Sequence, residues 1–497
     1  MHFSKSLTVL CLSSFVVSHA LKAQDHYDAL RYSYTSPMGT ARSMGFGNAL
    51  GSVGGDFATL SVNPAGIGIY RTSEVMFTPS LKFSSVQSSY LGATNTDQHT
   101  RFNLNNLGIV FTYAQKGNRY DKSNWKAVSV GLGFNRIADF SRNYYYNGLM
   151  KGDGDNYSSF SEIFVDDANL YNNVTTPGNL GYLGYQSYLV DYDPNYNSYF
   201  TYADWRTGLN QKRSMEERGG INEVVLSLGG NYKEKLMLGA TLGIPVIRYK
   251  RDAYFQEDDA SGDPNNSFHS FRYSERLNTS GVGANLKLGA IYKPSDYFRA
   301  GVAIHTPTIY GMSDIFNESL TANTEAYAGI TTVSNPENRF NYTLFTPWKG
   351  IISATAMLGK YGFITVDYEF VDYSSARFRF QNNYRENERV RNQDIRKNYQ
   401  SASNFRVGIE GKLDNFLLRG GFGYYGSPYS SQPNGSRYDY SAGAGYRYNS
   451  FFADIAWVQS VGDSYEKPYT LLPPVTTPTA TLSGKRSQMV ITVGWKM

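Results

Sequence analysis

No stretch of this 497-residue chain after its N-terminus runs for 18 apolar residues, yet fourteen short stretches alternate apolar with polar or small residues at a strict period of two. That period places one side-chain set on each face of a β-strand, so each stretch has one greasy and one wet face. Leu107, Ile109, Phe111 and Tyr113 make one such segment, and Val128, Val130, Leu132 and Phe134 the next. Val224, Leu226 and Leu228 continue the series, which closes with Met489, Ile491, Val493 and Trp495. Each segment is near the ~10 residues that a tilted transmembrane strand needs, and an even number suits a closed antiparallel barrel. A membrane accepts strands only in such a closed form, because an open sheet edge leaves backbone groups unsatisfied in lipid. The expected fold is therefore all-β: a 14-stranded antiparallel transmembrane β-barrel.

The connections support that reading. Short ones such as Lys233-Glu234-Lys235 and Lys412-Leu413-Asp414-Asn415 alternate with long ones, expected over 84–101, 141–220, 251–272, 307–347, 371–402, 425–437 and 459–485. Short turns at one end and long loops at the other are the asymmetry of outer-membrane barrels. The polar alternate face carries Lys82, Glu223, Lys287, Asp367, Glu369, Arg406, Glu410, Arg419 and Asp454. Each would cost roughly 2–4 kcal/mol facing lipid near the midplane, so these residues mark the lumen, as a structural ion-pair network or as a permeation path.

Residues 1–23 read as a cleaved signal peptide: Lys5, an apolar run from Leu7 to Val17 too short to span a bilayer, and a small-residue site ending at Ala23. The one cysteine, Cys11, falls inside it, so the exported chain has neither disulfides nor thiol chemistry. Without those residues 45 basic side chains face 42 acidic ones, which gives no case for nucleic acid. The expected setting is the Gram-negative outer membrane, with its lipids and the barrel-assembly machinery as partners and a monomer as the working state.

Residues 24–73 do not alternate. Eight glycines between Gly39 and Gly68 are interleaved with Phe46, Phe57, Leu60, Ile67 and other apolar residues, more than an exposed linker would carry. The organisation expected is a compact luminal plug over 24–73 and a barrel with long outer loops over 74–497. Asn63-Pro64-Ala65-Gly66 has a type I turn signature. The run Gly39-Thr40-Ala41-Arg42-Ser43-Met44-Gly45-Phe46-Gly47-Asn48-Ala49, with Gly55-Asp56-Phe57-Ala58 and Asn63-Pro64-Ala65-Gly66, resembles the N-terminal hatch of the long-chain fatty acid outer-membrane transporters, the FadL type. The likeness in residue identity covers about residues 37–70.

That resemblance implies a fourteen-stranded barrel with the hatch inside it, and passive uptake of hydrophobic small molecules such as fatty acids or aromatic compounds. It implies capture among the outer loops and sideways release through the wall beside a bent third strand. Carried onto this chain, Asn63, Pro64, Ala65 and Gly66 become gating residues, with Phe46, Phe57, Leu60 and Ile67 as the hatch's apolar lining. The third strand, about 125–140, offers Gly131, Gly133 and Asn135 for the lateral opening, since glycine weakens a ladder. The loop 141–220 holds a capping box, Ser159-Phe160-Ser161-Glu162, and a helix is expected near 203–217. Its Ile163, Phe164, Leu170 and Tyr171 form a ligand-capture surface or else pack the loop onto the barrel.

No nucleophile–base spacing or zinc motif stands out, so no enzyme, metal or cofactor is expected. Asp191-Tyr192-Asp193-Pro194-Asn195 begins like a calcium loop but lacks the following glycine and the distal glutamate. A structural or adhesive surface barrel, a general porin and a haem receptor stand as alternatives, the last because tyrosine is abundant.

Overall fold

The computed structural model describes residues 25–36, 38–325, 329–431, 435–472 and 475–497; the expected signal peptide, 1–23, lies outside the described residues. Fourteen antiparallel strands form one closed sheet. They are β1 (Glu74–Tyr90), β2 (Ala93–Ala114), β3 (Trp125–Asp139, resumed over Arg142–Met150), β4 (Leu209–Tyr232) and β5 (Leu236–Asp259). β6 (Ser270–Ser295), β7 (Phe298–His305, resumed over Ile309–Asn323), β8 (Asn338–Phe345, resumed over Lys349–Met357), β9 (Gly362–Asp372) and β10 (Ser401–Leu413) follow. The wall ends with β11 (Phe416–Tyr425), β12 (Arg437–Tyr448), β13 (Phe451–Glu466) and β14 (Ala480–Lys496). Each pairs with the next, and β14 closes on β1 through pairs from Glu74↔Lys496 to Ser89↔Thr481. Among the described residues no helix is long and apolar enough to cross a membrane.

The alternation sets the two faces. Along β4, Val224, Leu226 and Leu228 point outward and stand 44–57% exposed, while Glu223, Val225 and Ser227 point inward and are buried. The nine charged residues assigned to the lumen are all buried inside the barrel.

The outer ends of the strands reach further than the apolar spacing indicated. Most of 84–101, expected as a loop, is strand, and β1 turns into β2 at Leu91-Gly92, both with positive φ, the geometry of a type I′ hairpin. The expected loop over 251–272 likewise shrinks to 260–269. Above the hydrocarbon the outward face need not be apolar, so the period is written in Ser, Thr, Asn and Gln and the apolar count cannot see it. For the same reason the helix expected near 203–217 is absent: residues 209–217 open β4, with Leu209, Gln211, Arg213 and Met215 turned inward.

The connection from the end of β3 at Met150 to β4 at Leu209 makes a cap instead of a free loop. Its helices Glu162–Tyr171 and Leu180–Gln186 sit on the extended strand ends, where Phe160 stacks on Phe255 at 4.5 Å and Phe164 packs on Phe271 and Tyr273. A further helix, Arg385–Asn398, between β9 and β10, packs through the buried Ile395 into a cluster with Phe378, Phe380 and Tyr399.

Candidate functional site: an internal segment, its anchors and the cavity above it

Residues 25–73 lie inside the barrel. They form α1 (His26–Ser33), α2 (Ala41–Gly45) and two 3-10 turns, Phe57–Ser61 and Pro64–Ile69. Three of these begin on capping side chains: Thr40 accepts from the Ser43 amide, Asp56 from Ala58 and Asn63 from Ala65. Proline at the first position of the last turn loses nothing, since its amide would have no partner there.

Glycine decides how closely this segment meets the wall. A Cβ on Gly68 would come within 2.6 Å of the Gly230 carbonyl on β4. One on Gly47, whose φ is +72°, would crowd the Val407 carbonyl on β10 and the Phe422 backbone on β11. The segment therefore touches walls on opposite sides of the lumen.

The inward charges bind this segment. Arg42 donates to both carboxylate oxygens of Glu410, at 3.0 and 3.2 Å, and to the Gly55 carbonyl at 2.9 Å. Arg419 joins Glu410 to Asp454 with bonds of 2.7 Å to each. The Asp367 carboxylate accepts from the Gly51 amide at 3.0 Å, and Ser52 bonds both Ser353 and Thr355 at 2.7 Å. Ser61 donates to Glu223 at 2.8 Å, and Glu223 also holds Lys287. His305 bonds the Val62 carbonyl at 2.8 Å. The Asn63 amide group reaches the Gly51 carbonyl at 2.5 Å, tying the segment to itself. Burial pushes the Asp56 carboxyl upward, against the pull of Arg42 and the hydrogen bond from Thr40.

Above the segment is a cavity of about 900 Å³. Met44, Gly47 and Asn48 form its floor, and Phe160, Ile163 and Leu180 from the cap form its roof. Phe140, Tyr144, Tyr273, Phe316, Tyr425 and Tyr429 give it an aromatic wall. Charged groups are interspersed and mostly paired: Lys82 with Asp139 at 2.5 Å, Arg213 with Glu275 and Glu466, and Arg437 with Asp439 while lying over the rings of Tyr34 and Tyr425. Arg486 also lines the cavity and carries no ion pair among the described residues.

The sequence-derived residues fall into separate groups. Phe57, Leu60 and Ile67 form one buried cluster with Met76, Val110 and Val225, whereas Phe46 belongs to another with Phe363. Pro64 and Ala65 sit against Gly239 of β5, and Gly66 packs on Thr59 and Gly54. Gly131 and Gly133 face Leu60, Ile67 and Phe57 from the wall, and Asn135 bonds Ser61. The ladder is continuous here on both sides of β3, from Ala127 to Asn135 with β4 and from Asn106 to Ala114 with β2. Of the four cap residues, Ile163 reaches the cavity, Phe164 is the buried centre of the cap, Leu170 is 61% exposed, and Tyr171 lies half-buried at the helix end. The anchors Arg42, Asp56, Asp367, Glu223 and His305 were not foreseen as one set. Arg42 and Asp56 stand in the hatch-like runs, Asp367 and Glu223 are legible only as inward charges, and nothing in the sequence marks His305.

No family model and no curated protein matches the sequence. Among solved structures, a FadL homologue from Pseudomonas aeruginosa aligns over 93% of this chain and 99% of its own, with 12% identity and a TM-score of 0.54. The P. putida toluene transporter TodX aligns over 88% of this chain and 94% of its own, with 11% identity and a TM-score of 0.51. The likeness is one of fold: this chain has the closed fourteen-stranded architecture of the FadL-type barrels.

Proposed function

We propose that the protein is an outer-membrane channel for passive uptake of hydrophobic small molecules. The observation that carries this reading is the aromatic-walled cavity of about 900 Å³ held between the internal segment and the outer cap. Its aromatic wall, with charged side chains reaching the same space, suits a small ligand that is apolar along its length and polar at one end. The fold shared with a toluene transporter supports the same reading. In it, residues 25–73 act as a hatch: they block a straight aqueous path, which disfavours a general porin, and leave the cavity as the resting place of cargo. Ligand enters under the cap, past Ile163. Arg251, Lys485 and Arg486, which line the cavity without an ion pair among the described residues, favour cargo that ends in a carboxylate, such as a fatty acid, over a bare hydrocarbon.

Release is sideways, through the wall beside β3. Because the ladder there is continuous, the exit opens only when backbone bonds of β3 to a neighbouring strand part and Phe57, Leu60 and Ile67 withdraw from Gly131 and Gly133. The first test is native mass spectrometry, with solvent extraction, of the barrel purified in a mild detergent and incubated with a long-chain fatty acid. One apolar ligand per barrel is expected, and a ligand-free barrel at saturating fatty acid rejects the proposal.

A further inference from the structure

We propose that the outward face of β5–β8 carries a binding site for the phosphorylated headgroup of an outer-leaflet glycolipid. The inference rests on the reading of this wall as membrane-embedded.

The outward residues lie in rows set by the strand register. The lowest row concerned holds Ile244, Ala284 and Ile309, all exposed and apolar. The next holds Val246, Val282, Gly311 and Thr343, and the one above it Arg248, Ser280, Ser313 and Asn341. Apolar side chains thus give way to polar ones within two rows, which places the edge of the hydrocarbon here. Trp348, 56% exposed in the break of β8, is the residue type that favours that boundary.

A recess of about 750 Å³ straddles this edge. It exists because the outward positions are small. Gly311 has no side chain, and a Cβ there would find its nearest neighbour, the Val282 carbonyl, at 4.0 Å. Two arginines and no acid line the recess: Arg248 on β5, and Arg379 on the short strand Arg377–Arg379 that pairs with β8. Both are exposed, and neither has a hydrogen-bond or ion-pair partner among the described residues. Other nearby outward cations have partners: Lys250 and Arg276 share Asp252, Arg218 meets Glu216, and Arg377 lies over the Phe345 ring.

Two unmatched guanidiniums at a hydrocarbon edge are a site for anions held at that depth, and the guanidinium fork fits phosphate oxygens in pairs. Four strand spacings separate the arginines, about 19 Å of wall at ~4.8 Å each. A large headgroup with phosphate at both ends spans that distance, with acyl chains laid over Val246, Val282 and Ile309. Ser280, Ser313 and Asn341 supply hydrogen-bonding groups for the sugar between.

The test uses the full-length barrel in nanodiscs, with native mass spectrometry as readout. The probes are a bisphosphorylated acylated disaccharide, the same lipid without phosphates, and inorganic phosphate alone. Preferential retention of the phosphorylated lipid is expected, by about tenfold or more. Arg248→Ala/Arg379→Ala abolishes that preference, while Arg218→Ala/Lys250→Ala, which removes two matched cations, keeps it. Heat-modified gel mobility reports that each variant is folded. Equal retention of both lipids, a double variant indistinguishable from wild type, or displacement of the lipid by millimolar phosphate alone overturns the site. Loading of the internal cavity is read in the same spectra and does not involve Arg248 or Arg379. A failure of the uptake reading is therefore separable from a failure of this one.

Discussion

Replacing Arg42 by alanine removes a paired, charged tie between the internal segment and the wall. Arg42 makes two bonds to Glu410 and one to Gly55, with its side chain 19% exposed and that of Glu410 8%. Hydrogen bonds to charged groups contribute roughly 1.5–3 kcal/mol each, and breaking a buried pair costs about 3–5 kcal/mol when the other charge is left alone. Glu410 is not left alone, because Arg419 still donates to it at 2.7 Å. The loss therefore falls near the low end, about 3 kcal/mol, or about 150-fold in the opening equilibrium of the segment. Hydrogen exchange under native conditions reads this directly. Protection across residues 26–70 should fall by about two decades, while β4 and β10 keep theirs. Arg42→Lys should recover part of it, since an ammonium can meet Glu410 but cannot make the paired contact. If protection over 26–70 changes by less than about threefold, or the wall loses protection equally, the segment is not held by this latch and the reasoning fails.

Asn63→Ala removes the cap on Ala65 and the tie to Gly51; a loss of about 1–2 kcal/mol is expected, seen as faster exchange confined to 57–70. Gly239→Leu places a side chain against the Pro64 backbone, so the segment must lift while the barrel still closes; planar-bilayer conductance should rise above wild type. Gly133→Trp inserts an indole between Leu107 and Phe57; uptake should fall with the barrel folded, and unchanged uptake rejects an exit beside β3. In the cap, burial raises the Glu162 carboxyl from 4.5 to about 7, assisted by Asp166 and opposed by the Ser159 amide. The folded cap binds this proton more tightly than the unfolded chain, so its stability is complete below about pH 4.5 and declines as the pH rises to 7. Amide protection over 160–186, corrected for intrinsic exchange, should fall across that interval, and Glu162→Gln should flatten the profile.

Strands were legible wherever one face meets lipid. Leu226 and Leu228 must be apolar, and Glu223 and Ser227 must not be, so the pattern carries the fold directly. It faded at Ser84–Thr100 and at 209–217, where water wets the outward face and no chemistry separates it from the inward one. The short helices of residues 25–73 were half legible: Asn63-Pro64-Ala65-Gly66 announces its turn, and Asn63 indeed caps it. Their docking was not. Arg42 meets Glu410, and Gly51 meets Asp367, across more than 300 residues, and the sequence shows both carboxylates only as inward charges. The cap was ambiguous for a related reason. Phe164 and Ile163 are adjacent and equally apolar, yet helix phase sends one into the cap's core and the other to the cavity.

On this reading the barrel passes hydrophobic molecules while its aqueous path stays blocked. Paired measurements on one preparation test it: initial uptake of a labelled long-chain fatty acid by cells producing the barrel, and single-channel conductance of the purified protein. Uptake well above a barrel-free control is expected, with conductance far below that of an open porin. Porin-like conductance with uptake at the control level would contradict it.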